Sequence, residues 1–198
     1  LKAAMDSDVF DEHCIRRQVG STGLVIFERD DILLRQKPQF EDQTLGDIDA
    51  DFVAMLQDMR DLDVRFGFIS RRSSRPFDTR VSIDSATLTR LLDDLLKVSG
   101  ALPDFWIDAA CTSDLKQRQR SHSRAELDLI TKLTEWYEAD LNRTVLVRKA
   151  DAPLTSPDTP GLTEIFYPGL SARAPSNISR PATVGWLKTM IKHALDLE

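Results

Sequence analysis

Leu24-Val25-Ile26-Phe27-Glu28-Arg29-Asp30-Asp31-Ile32-Leu33-Leu34 decides how this chain is read. Its first residues are apolar and partly β-branched, the pattern of a short buried strand. Three acids, Glu28, Asp30 and Asp31, then fall within four positions. Carboxylates just past a buried strand lie where a doubly wound sheet opens to its ligand. The same acids also fit a solvated turn, since turns favour Asp.

Downstream, a polar stretch over residues 36–47 holds Pro38 and Gly46 and reads as a loop or small cap insertion. Phe52, Met55, Leu56 and Met59 then recur on one face of a helix. Residues 64–69 form a second strand, followed by the basic, serine-rich loop Ser70-Arg71-Arg72-Ser73-Ser74-Arg75-Pro76. Asp84 or Ser85 can cap the next helix, which carries Leu88, Leu91, Leu92, Leu95 and Leu96 on its apolar face and stops at Gly100. Phe105-Trp106-Ile107 is a third strand, and residues 116–124 are a second basic loop. Ser123-x-x-Glu126 is a capping-box pattern opening a helix with Leu127, Ile130, Leu133 and Tyr137. Residues 144–147 form a fourth strand.

Residues 150–181 are an irregular stretch rich in Pro and Ser, with one strand candidate at 164–167. A last helix is expected over 181–197, opening near Pro181 and burying Trp186, Leu187, Met190 and Ile191. Upstream, Met5, Val9, Phe10, Cys14 and Ile15 suit one amphipathic helix, an N-terminal tail over residues 1–20. Residues 21–198 then make a single domain. Strands alternating with helices imply βαβ units and a parallel sheet.

Composition narrows the function classes. The chain has 198 residues with 41% hydrophobic and 29% charged, enough for a packed core under a charged surface. No apolar run approaches the ~20 residues of a membrane span, and no signal-peptide pattern is present, so no membrane partner is expected. Cys14 and Cys111 lie far apart and read as free thiols, which points to a cytoplasmic location. A net charge of -6 argues against a nucleic-acid partner. His13, His122 and His193 are scattered, and there is no Gly-rich phosphate loop. The chain opens on Leu1, as expected for part of a longer, multidomain protein.

The opening stretch resembles the first motif of the haloacid dehalogenase (HAD) phosphatases: apolar strand, Asp-x-Asp-Gly-Thr, leucines. In that family the first Asp is the nucleophile and the second a general acid/base. Glu28 and Asp30 hold these places here, and Asp31-Ile32 replaces Gly-Thr. The second motif is a Ser or Thr closing the second strand, matched by Ser70 in Val64-Arg65-Phe66-Gly67-Phe68-Ile69-Ser70. The order of elements is nearest the histidinol-phosphate and heptose-bisphosphate phosphatases. Their zinc loop is matched by Ala109-Ala110-Cys111-Thr112-Ser113-Asp114, whose single Cys implies no zinc. The third-motif lysine falls near Gln119-Arg120-Ser121-His122, where Arg120 can deputise. The fourth, Gly-Asp-x-x-x-Asp, which helps hold magnesium, falls on Arg148-Lys149-Ala150-Asp151.

The resemblance covers residues 24–150 and implies an α/β/α, Rossmannoid three-layer sandwich with a mainly parallel sheet, strand one central and no large cap. A lysine at the metal-binding acid and a Glu at the nucleophile favour a degenerate, catalytically inactive or very weak domain with no cofactor. The alternative is an active phosphomonoesterase acting on a small sugar phosphate or similar ester, with Glu28 or Asp30 catalytic and magnesium on Glu28, Asp30 and Asp151. The expected strand ends also gather Arg29, Arg71, Arg72, Arg75, Lys116, Arg118, Arg120, Arg148 and Lys149. With Ser70, these cations suit a small phosphorylated molecule or an acidic partner segment. They also fit a solvated face paired with the chain's many acids.

Overall fold

The computed structural model describes residues 22–29, 32–33, 48–71, 85–109, 118–149, 160–167 and 183–197. The N-terminal tail, Asp30, Asp31, Arg72, Arg75, Cys111, Lys116, Asp151 and most of the Pro/Ser-rich stretch lie outside them. The strands are β1 (Gly23–Glu28), β2 (Val64–Arg71), β3 (Phe105–Ala109), β4 (Thr144–Lys149) and β5 (Thr163–Tyr167). The helices are α1 (Ala50–Asp61), α2 (Ser85–Val98), α3 (Arg118–Tyr137) and α4 (Val184–Ala194).

The strands form one sheet in the order β3-β2-β1-β4-β5, every neighbouring pair parallel. β1 is central, and both faces of a central parallel strand must be apolar. Accordingly Leu24, Val25, Ile26 and Phe27 are wholly buried. Alternation sorts them between two cores. Val25 and Phe27 pack with Phe52, Met55, Leu56 and Met59 of α1, Leu92 and Leu96 of α2, and Leu187 and Ile191 of α4. Leu24 and Ile26 pack on the other face with Leu129, Ile130, Leu133 and Tyr137 of α3. The architecture is a three-layer α/β/α sandwich. None of the described helices is long and apolar enough to cross a membrane.

Gly67 of β2 lets β3 approach: a Cβ there would lie 2.5 Å from the ring and carbonyl oxygen of Phe105. At α1, Asp49 accepts from the Asp51 and Phe52 amides, satisfying groups that a helix start leaves open.

Three expectations are corrected. α3 begins at Arg118, so Ser123 and Glu126 lie inside the helix rather than at its cap. Arg and Gln are good helix formers, and they extend the helix through the expected basic loop. α4 begins at Val184, with the Thr183 hydroxyl capping the Trp186 amide at 3.2 Å. Its buried stripe is Val184, Leu187, Ile191 and the following Leu195, while Trp186 and Met190 stand on the neighbouring stripe, 40% and 37% exposed. Leu91 of α2 is likewise 45% exposed, one position off the Leu92–Leu96 line.

The chain's two tyrosines are both interior. Burial, reinforced by the nearby Asp104 charge, holds the Tyr137 phenol well above its ordinary 10.0. Burial and then Asp49 raise Tyr167 in the same direction. Above pH 10.0 the unfolded chain releases phenolic protons that the folded chain keeps, so stability present below that pH falls as pH rises. In an alkaline titration, tyrosinate absorbance should stay low past pH 10.0 and rise only together with loss of helical circular dichroism. Ordinary titration centred at 10.0 in the folded chain would contradict this.

Candidate functional site

The strand order reverses at β1. The connections through α1 and α2 build the sheet toward β3, whereas α3 carries the chain back to β4 on the other side of β1. Such a switch point, at the carboxyl ends of the strands, is where open α/β sheets place their ligands. β1 and β4 are its two walls.

β1 and β4 pair from Leu24↔Thr144 to Phe27↔Val147, and one residue further stand Glu28 and Arg148. Both strands run longer than their apolar runs suggest. β4 continues through Arg148 and Lys149, which the sequence reading set beyond the strand. The pleat therefore fixes their directions. Ile26 and Leu146 belong to the core under α3, Phe27 and Val147 to the opposite core, so Glu28 and Arg148 turn together toward the α3 face. Glu28 is 9% exposed and Arg148 wholly buried.

The Lys149 backbone N–H donates to Glu28 Oε2 at 3.0 Å, tying the last residue of β1 to the last residue of β4. Glu is long enough to reach across to the next strand, and the bond places its carboxylate against β4. Lys149 thus meets Glu28 through its main chain. Its side chain is half-buried.

Arg29 turns the other way. It is buried, its Nη1 donates to the Thr89 hydroxyl of α2 at 2.9 Å, and its N–H donates to the Ile69 carbonyl at 2.8 Å. It knits β1 to β2 and α2 instead of lining an open cationic mouth. Ser70 is 2% exposed and lies opposite Asp108 of β3. Phe68 lies in the core under α1 and α2, so alternation turns Ser70 toward that face, away from Glu28. Arg71 closes β2, and Arg120 lies in the first turn of α3, a helix and not the expected loop. Arg72, Asp30 and Asp151 lie outside the described residues.

The structure therefore brings Glu28, Arg148 and the Lys149 main chain to the paired ends of β1 and β4 and sets Arg29 and Ser70 on the other side of the sheet. The sequence reading counts Arg148 among the cations of an open mouth, not as a buried side chain, and gives no role to Thr89. For Arg148 the signal was the even spacing of Leu146 and Arg148 along a strand that need not end at its first charge.

A divalent ion of the magnesium type takes an octahedron of oxygens. Among the described residues the donor set does not fit one. No group of three or more His, Cys, Asp and Glu gathers, and the buried carboxylate at the switch point shares its strand ends with a guanidinium and an ammonium.

No protein-family model matches the chain, and no curated protein matches it by sequence. Solved structures do match in shape. The D,D-heptose 1,7-bisphosphate phosphatase of B. bronchiseptica, complexed with magnesium and phosphate, superposes with a TM-score of 0.56 at 12% identity, over 86% of this chain and 98% of its own. A protein of Mesorhizobium loti described as a HAD-like phosphatase superposes with a TM-score of 0.58 at 13% identity, over 92% and 88%. At such identities the likeness concerns the fold. A five-stranded parallel sheet with β1 central, the two cores, and these superpositions together establish that the chain has the fold of the HAD phosphatases.

Proposed function

We propose that this chain is a phosphatase-like HAD domain that has lost metal-assisted phosphoryl transfer and binds an anion at the β1/β4 switch point. The observation that carries this reading is the Glu28–Lys149 tie. The carboxylate in the nucleophile's place accepts a main-chain N–H, is 9% exposed, and ends its strand beside the strand that closes on Arg148 and Lys149. A nucleophile must be free to approach phosphorus in line, and a misplacement of about 1 Å costs on the order of a hundredfold in rate. A catalytic metal contributes several kcal/mol, so its loss costs about a thousandfold more. The ligand classes that suit cations at the ends of these strands are a small phosphorylated molecule and an acidic segment of a protein partner.

The second reading, an active magnesium-dependent phosphomonoesterase using Glu28 or Asp30, draws on the magnesium and phosphate held by the Bordetella structure of the same fold. Two measurements separate them. Calorimetry with inorganic phosphate and a sugar phosphate in chelator should give binding that Lys149→Met weakens about tenfold, the loss of one charge-assisted contact. Hydrolysis of a generic phosphate ester with magnesium should stay at the buffer rate. Turnover abolished by Asp30→Asn would establish the enzyme instead, and no binding at millimolar ligand would remove the anion site.

A further inference from the structure

We propose that the outer edge of β5 and the adjoining flank of α4 form a homodimer surface, on which a second copy of this chain pairs antiparallel to β5. The surface lies at the edge of the sheet and does not rest on the anion site.

Among the described residues β5 pairs with β4 alone, so its other edge carries main-chain N–H and C=O groups that no described strand meets. Such an edge takes up another strand unless Pro, Lys, a bulge or a covering element prevents it. β5 reads Thr163-Glu164-Ile165-Phe166-Tyr167, with no Pro, no Lys and a single charge. Ile165 and Tyr167 enter the core shared with α4, while Phe166 is half-buried on the other face.

α4 packs against α1 and β5. Its Lys188 pairs with Asp58 of α1, which fixes the side of the helix that faces α1. Trp186 and Met190 stand on the other side of the buried Val184–Leu187–Ile191 stripe, turned away from α1 toward the outside of β5, and both are exposed. With Ala194 they make a flank without a formal charge. The opposite edge of the sheet differs. The α2 flank beside β3 carries Asp93 and, four residues on, Lys97; Asp93 accepts from Trp106 Nε1 of β3 at 2.9 Å. Charges beside an edge strand discourage pairing with another chain. β3 is guarded by charge, and β5 lies beside an apolar flank.

A second copy matches this surface. A two-fold axis normal to the sheet at Ile165 sets Glu164 opposite the second copy's Phe166, so like charges do not face each other. The same axis brings the two α4 flanks together on one face of the sheet, with no charge to desolvate. Each chain carries a net charge of -6, so two copies meet with least repulsion at an uncharged contact. One short strand and one helix flank make a small interface, for which a dimer Kd on the order of 10 μM is expected.

The test is sedimentation velocity of this chain from about 1 to about 300 μM, spanning that Kd. Wild type should pass from one chain mass to two. Met190→Lys and Trp186→Lys put like charges across the axis at exposed positions and should weaken pairing about tenfold or more, with unchanged circular dichroism. Leu91→Lys, at the exposed apolar position of α2, should pair like wild type. The outward main-chain N–H groups of β5 in wild type should exchange slowly at the high concentration and fast at the low one. A wild type that stays monomeric throughout, a dimer dissolved by Leu91→Lys but not by Met190→Lys, or a dimer whose β5 amides exchange equally fast at both concentrations overturns the proposal. If one α4 variant does not fold the other decides, and the wild-type exchange needs neither.

Discussion

Asp104→Ala should cost the fold about 3–5 kcal/mol, the usual penalty for removing one member of a buried charged network. Asp104 lies just before β3, at the pole of the sheet opposite the candidate site, and is 3% exposed. It pairs with both main-chain groups of Phe66 on β2: its N–H donates to the Phe66 carbonyl at 2.8 Å, and its Oδ2 accepts the Phe66 N–H at 3.0 Å. Its Oδ1 receives Arg60 Nη1 of α1 at 3.0 Å and lies 3.8 Å from Arg65 Nη1 of β2. Its carbonyl accepts the Tyr137 hydroxyl of α3 at 3.2 Å. Arg60 is held in turn by the Leu102 carbonyl and by the Phe66 ring, 4.7 Å from its guanidinium. One carboxylate thus joins α1, β2 and β3, and its peptide joins α3. Ala would strip the acceptor from a buried amide and leave the buried Arg65 balanced mainly by Asp63, which is largely in water. Asp104→Asn keeps an oxygen for the Phe66 N–H and should lose about half as much. Urea unfolding reads both. An Ala variant with the wild-type midpoint would show that the network adds nothing net to stability.

None of this network was legible in the sequence, whereas most of the fold was, and the difference is physical. β1 announced itself because a central parallel strand is apolar on both faces, and Phe52, Met55, Leu56 and Met59 because a one-sided helix repeats its apolar residues at i+3 and i+4. Periodicity also misled. In α4, Trp186 and Met190 repeat at four residues just as Leu187 and Ile191 do, and spacing alone cannot say which of two adjoining stripes faces the sheet. A charge after an apolar run reads as the end of a strand, so Arg148 was placed beyond β4 although the ladder carries it inside. The Glu28–Lys149 tie and the Asp104 network depend on partners brought together only by the sheet order. For Glu28 the family resemblance points to the position, while its bond to the Lys149 amide comes from the geometry alone.

Phe27→Ala should be about as costly as Asp104→Ala, at about 3–5 kcal/mol, and its consequence reaches the candidate site. The Phe27 ring lies wholly buried in a row of aromatics across the α1/α2 face of the sheet. It meets Phe52 edge-on at 5.5 Å and stacks with Phe68 at 5.5 Å, and Phe68 stacks with Trp106 at 4.7 Å. Such pairs add to the simple burial of area, and a close-packed row cannot collapse fully into the space a lost ring leaves. Phe27→Leu fills most of that space and should cost about 1–2 kcal/mol. Because Phe27 directly precedes Glu28, its anchoring also fixes where the carboxylate meets β4. The Lys149 amide reports on this, since it donates to Glu28 rather than to water. In amide hydrogen exchange under folding conditions, Lys149 should be protected in wild type and in Phe27→Leu, and exchange faster in Glu28→Ala and in Phe27→Ala. If Lys149 stays fully protected in a folded Phe27→Ala chain, the aromatic row does not hold the site in place. The Glu28 tie must then derive its rigidity from β4 alone.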